Sequence, residues 1–330
     1  MRITKPNLAL FTVIASALVG CTPNSGISSE SPVRGSMSDY SGTGHLTQGE
    51  AKVVDRSLYT CKQGRSRVAA VGQIVDKEGN TWTVPAGTMF QTAPNAADLY
   101  NDCEGIRPNS LSEVDMSKVP VVDIESDGQV ITGYLFADNY FELYINGKLV
   151  GVDSVPFTPF NSSVVRFKVK KPYTIAVKLV DWEENLGVGT ENNRGKAYFP
   201  GDGGFIASFS DGTVTNKSWQ AQTFYTAPIY NLRCLSEVGS KRLSKTCDTK
   251  GYDNGKNAFA VHWSIPPGWN SENFQADWPS ATEYSENEIG VDNKRAYTNF
   301  RQVFSGAGAK FIWSTNVVLD NEVLLQYKVE

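Results

Sequence analysis

From residue 130 onward, apolar and polar residues alternate in one short run after another. In YFELYI (140–145), Phe141, Leu143 and Ile145 alternate with Tyr140, Glu142 and Tyr144. That period of two predicts a strand whose Phe141, Leu143 and Ile145 face a core. Asn146-Gly147 follows, and this dipeptide takes the positive φ values that a type I′ turn requires, so 138–151 reads as a hairpin. Further strands are predicted at 130–137, 163–169, 173–181, 204–209, 214–225, 258–263, 310–315 and 323–329. In the 173–181 strand, Tyr173, Ile175, Val177 and Leu179 share one face. Asp211-Gly212 and Leu319-Asp320-Asn321 supply turns, and no long amphipathic helical pattern competes. Many short strands separated by Gly, Asn and Asp predict an all-β chain built as a β-sandwich.

Upstream the pattern is weaker. Residues 67–75 and 81–86 flank the turn Asp76-Lys77-Glu78-Gly79-Asn80 and predict a second hairpin. A loop-rich stretch follows, and 109–116 offers one or two helical turns. Residues 22–50 are rich in Ser, Gly and Thr with few large apolar side chains. They read as a flexible tether reaching on the order of 30 Å, with His45 a solvated linker residue.

Arg2 and Lys5 precede an apolar stretch, Leu8 to Val19, that is short for a bilayer span and ends in small residues and a cysteine. This is the pattern of an export signal. Leu18-Val19-Gly20-Cys21 resembles the bacterial lipobox. The resemblance implies cleavage before Cys21, lipidation of that cysteine with acyl chains such as palmitate, and, with Thr22 rather than Asp next, sorting to the outer membrane. Each buried CH₂ of such an anchor contributes about 0.8 kcal/mol. The formal charge is −4, and loss of Arg2 and Lys5 with the signal takes it to −6. No basic run is present, which excludes nucleic acid and anionic headgroups as electrostatic partners and leaves the lipid as the membrane contact.

Cys61, Cys103, Cys234 and Cys247 remain, an even number in an exported chain, which predicts disulfides. Three pairings are open; Cys61–Cys103 and Cys234–Cys247 are preferred because each joins one segment of chain. Zinc held by these cysteines is disfavoured, since no Cys-x-x-Cys spacing exists and no histidine is near them in sequence.

ADNYFELYINGKLVG (137–151) is similar to the hairpin of galactose-binding-domain-like jelly rolls, the accessory modules beside many glycoside hydrolases. YTIAVKLVDW (173–182), GGFIASFSDGTVTNKSWQAQ (203–222), FQADWPSATEY (274–284) and AKFIWST (309–315) resemble that family's later segments in the same order. The resemblance covers about 130–330. It departs at Asn216, at Gln326 and in an insertion near 230–257 that carries two cysteines. It implies a galactose-binding-like jelly roll over that range, which in the expected organisation follows a signal peptide (1–20), a lipidated tether (21–50) and a small disulfide-bearing β segment (51–129). In this family ligands sit on variable loops.

The chemistry-bearing residues point the same way. A Ser-His-Asp triad would need His262, and no Gly-x-Ser-x-Gly accompanies it. Asp181, Glu183 and Glu184 surround Trp182; a glycosidase needs two carboxyls across a scissile bond, and a polar loop after a strand is the simpler reading. Asp202 and Asp211 sit on glycine turns and are candidate oxygen donors for a structural calcium, the one cofactor expected if any is. Tryptophan faces stack on sugar rings while amides and charged groups bond their hydroxyls. The expected ligand-binding set is therefore Trp182, Glu183, Asn185, Asn193, Arg194 and Trp269, on loops such as 181–203. Trp219, Trp263, Trp278 and Trp313 are expected in the core. The expected function is noncatalytic binding at the bacterial cell envelope, carbohydrate leading. The alternatives are a structural or protein-interaction lipoprotein and, more weakly, a glycan-active enzyme.

Overall fold

The structure, a computed structural model, describes residues 35–56, 58–193 and 196–330. Cys21 and Arg194, expected as lipidation and ligand-binding residues, lie outside the described residues.

The period-two segments pair into two seven-stranded sheets. The first runs in the order His45–Gln48, Phe259–His262, Gln220–Ile229, Asp320–Val329, Tyr173–Val180, Tyr140–Ile145, Lys148–Val152. The second runs Thr282–Tyr284, Phe311–Trp313, Gly204–Phe209, Gln129–Asp138, Ser162–Val169, Ala97–Tyr100, with Val121–Asp123 joining Ser162–Val169 in parallel. The chain is an all-β sandwich. Phe141, Leu143 and Ile145 enter the shared core, as do Tyr173, Ile175, Val177 and Leu179, where they meet Phe167, Phe205, Trp219 and Trp313. At the hairpin, Asn146 has φ 48° and Gly147 φ 81°, the left-handed pair that Asn-Gly predicts. Both disulfides form as expected, Cys61–Cys103 and Cys234–Cys247, with Cα separations of 4.6 and 4.9 Å.

Two expectations about the upstream chain are corrected. The folded body begins before residue 50: His45–Gln48 pairs in register with Phe259–His262, burying Leu46 and Thr47. Four residues are too few for alternation to stand out against a Ser/Gly background. Residues 51–129 are not a separate segment either. Ala97–Tyr100 and Val121–Asp123 both pair with Ser162–Val169 inside the sandwich. The remainder, strands Lys52–Asp55, Val71–Val75 and Thr81–Val84, forms a three-stranded sheet. It packs Ala70, Ile74 and Val84 against Leu186, Tyr225, Ala227 and Ala260.

Segments without alternation cover other parts of the sandwich. A short helix, Arg295–Thr298, and two 3-10 turns bring Tyr297, Phe300 and Phe304 onto Phe136, Ile206 and Phe311 of the second sheet. The 264–278 loop, through Trp278, and the 230–257 insertion, through Leu232 and Cys247, pack with Phe224, Val261 and Leu324 of the first.

Candidate functional site

The 181–192 loop leaves the strand Tyr173–Val180 and was expected to expose its tryptophan and acids. It does the reverse. Trp182 is fully buried, its Nε1 donating to the Ala70 carbonyl at 3.2 Å. Its backbone N–H donates to Asn139 Oδ1 at 2.6 Å. Glu183 is 2% exposed; one oxygen accepts from Gly187 N (2.6 Å) and the Tyr225 hydroxyl (3.1 Å), while Oε2 has no hydrogen-bond partner. Burial pushes this carboxyl up to about 8, against those two donors. Asn185 is spent within the loop, donating to Thr190 Oγ1 at 2.7 Å and accepting from Asn192 at 3.1 Å. Arg67 seals the outside, bonding Glu184 (2.8 Å), Glu191 (2.9 Å) and the Asn192 carbonyl (2.9 Å). Trp182 and Glu183 are thus packing groups, and the correction has one physical cause: residues 67–70 fold over the loop. Asn193 lies in the short strand Glu191–Asn193 beside it.

Asp181, 3% exposed, lies near Asp138, Glu191 and Asp202. Burial raises Asp138 and Asp181 well above the usual carboxylate range, and the mutual repulsion of these acids adds to it. Burial and Glu191 together raise Asp202 to about 6. Asp211 is elsewhere. It accepts from the Tyr173 hydroxyl (2.8 Å) and Thr213 N (3.1 Å) and lies 3.5 Å from Lys171. These contacts outweigh its burial and lower its pKa. Among the described residues, Asp202 and Asp211 enter no group of three metal-ligating side chains. His262 is buried, its Nε2 lying 2.7 Å from Thr47 Oγ1, and its ring stacks on both Trp82 and Tyr225. Burial lowers its pKa to about 3, so it is a neutral core group.

An open groove forms instead where three strands of the first sheet meet the 264–278 loop. Its volume is about 580 Å³, and it is lined by Asn146, Thr174, Gln220, Gln326 and Lys328 on the sheet side and by 272–276 opposite. By alternation Thr174, Gln220 and Gln326 sit on the face opposite Ile175, Ala221 and Leu325, which fill the core. Gln220 and Gln326 are cross-strand partners. They grip the backbone of one loop residue on both sides: Gln220 Nε2 donates to the Ala276 carbonyl at 2.6 Å, and Gln326 Oε1 accepts from Ala276 N at 3.2 Å. The hairpin turn adds a wall, with Asn146 Oδ1 accepting from Thr174 N at 2.8 Å. Glu272, Asn273 and Gln275 are exposed, and Phe274 is half-buried. Trp269, the one expected aromatic not swallowed, is half-buried edge-on against Tyr144, with ring centroids 5.5 Å apart. The groove can present amides, a carboxylate and an ammonium beside an aromatic ring. Sequence reading passed over Gln220 and Asn273, which stand among many polar residues. Gln326 drew attention only as a departure from a family pattern.

No family model, curated protein or solved structure matches the chain.

Proposed function

We propose that this chain is a noncatalytic carbohydrate-binding module held at the bacterial cell envelope, probed through the groove between the first sheet and the 264–278 loop. The observation that carries the reading is the groove's lining. Asn146, Asn273 and Gln275 offer planar amides, Glu272 and Lys328 offer charge, and Phe274 offers a ring edge or face. Sugar hydroxyls are bonded by such groups while the apolar side of the ring rests on an aromatic. The volume falls in the range of small-ligand sites. The sandwich supports the family resemblance, and the lipobox-like Leu18–Cys21 supports envelope anchoring. A hydrolytic role through Asp181 or Glu183 has little support, since both are buried.

The test is retention of the full chain on a panel of envelope polysaccharides and a glycan array, repeated with N273A/Q275A. Binding to one glycan class that falls about tenfold or more in the variant supports the reading. No retention on any glycan, together with loss of an envelope protein partner when the chain is deleted, overturns it. That second, docking reading has its own observation. Val54, Val68, Val75 and Met89, in or beside the three-stranded sheet, are 41–59% exposed, apolar side chains that a bound partner would bury.

A further inference from the structure

Both histidines of the chain meet at one place, and only one is buried. His45 lies directly across from His262 in paired strands. Its ring stands 5.2 Å from that of Trp82 and faces the turn 76–80. There His45 Nδ1 lies 3.0 Å from Asp76 Oδ2 and 3.9 Å from Glu78 Oε2. The three ligand atoms all fall within 4.8 Å of one another. We infer that His45, Asp76 and Glu78 form a binding site for a divalent transition-metal ion of the zinc class.

The donor set selects that class. An imidazole nitrogen with two carboxylates suits zinc and its neighbours, whereas calcium requires six to eight oxygens. Zinc ligands about 2.0–2.2 Å from the ion stand about 3–3.5 Å from each other. The His45–Asp76 separation already meets this, and Glu78, 46% exposed at its side chain, closes the remaining gap by side-chain rotation. The rigid member is Asp76, whose side chain is wholly buried. Its Oδ1 accepts from Glu78 N (3.0 Å) and Asn80 N (2.8 Å), and its Oδ2 from Asn80 Nδ2 (2.9 Å) and Trp82 Nε1 (2.9 Å). Such outer contacts orient a carboxylate ligand and are the usual partners of a built metal site. Gly79, with φ 87°, lets the turn present residues 76 and 78 on the same side. Asn80 Nδ2 is 3.3 Å from His45 Nδ1 and keeps its shorter bond to Asp76 when an ion takes that nitrogen. The two carboxylates offset the charge of the ion, and water completes the shell on the exposed side.

The experiment is Zn²⁺ titration of the full chain without a histidine tag, followed by calorimetry and by the imidazole signals in NMR, which two histidines keep simple. The expected result is one Zn²⁺ per chain, with the His45 Nδ1 resonance moving and that of His262 staying in place. H45A weakens binding about tenfold or more. E78Q, on an exposed side chain that leaves the fold untouched, weakens it severalfold. Zn²⁺ affinity unchanged in H45A, or His45 signals that stay in place at saturating Zn²⁺, overturns the assignment.

Discussion

Two loops of this protein carry the same kind of sequence and end in opposite places. The 181–192 loop holds a tryptophan, acids and asparagines; so does the 264–278 loop. The first is swallowed, because residues 67–70 lie over it and take Trp182 Nε1 and the Arg67-bound acids as their own partners. The second is tied to the sheet by Gln220 and Gln326, at Ala276 and at the Trp269 carbonyl, and keeps Glu272, Asn273 and Gln275 in solvent. Composition alone does not separate a binding loop from a packing loop. What separates them is whether another part of the chain supplies partners for their polar groups.

The contrast is broken most forcefully at its aromatic residues. W182A removes a fully buried indole and costs about 3–5 kcal/mol, read as a fall in denaturant midpoint. W269A, half-buried against Tyr144, costs much less; an equal loss from both would erase the distinction. The next effect is pH dependence. Glu183 has a folded pKa of about 8 against an ordinary 4.5, so between these values the unfolded chain ionises while the native carboxyl stays protonated. Stability therefore falls as pH rises from about 4.5 to about 8. Thermal unfolding across that window should show a downward slope that E183Q reduces, and an unchanged slope would place the buried proton elsewhere. Smaller again is Q326A, which leaves the Ala276 N–H without its partner and costs about 1 kcal/mol. It should loosen 269–276 in hydrogen exchange while leaving 181–192 protected. Last, N273A/Q275A should leave the unfolding midpoint within about 0.5 kcal/mol of the parent while reducing glycan binding.

The sandwich was legible because period-two alternation acts over six to eight residues and the Asn-Gly turn has one economical geometry. Phe141, Leu143 and Ile145 lie where their spacing predicts, and local pairing was enough to choose Cys61–Cys103 and Cys234–Cys247. The candidate site was not legible, for reasons visible in particular residues. Trp182 reads as a loop aromatic until Ala70, more than a hundred positions upstream, is known to lie over it. The groove depends on Gln220 and Gln326 meeting across two strands, a register that no local pattern encodes. His45 was hidden by its neighbours: HLTQ is a strand only because Phe259–His262 offers it an edge.

That short edge strand bears on how copies of the protein meet one another. Without it the first sheet would end at Phe259-Ala260-Val261-His262, an apolar strand with unpaired backbone groups, the kind of border that accepts a strand from another molecule. His45–Gln48 occupies that border with four residues, only two of them buried. Removing the chain up to Gly49 should therefore make the protein self-associate edge to edge more readily than the parent, well before it loses its core.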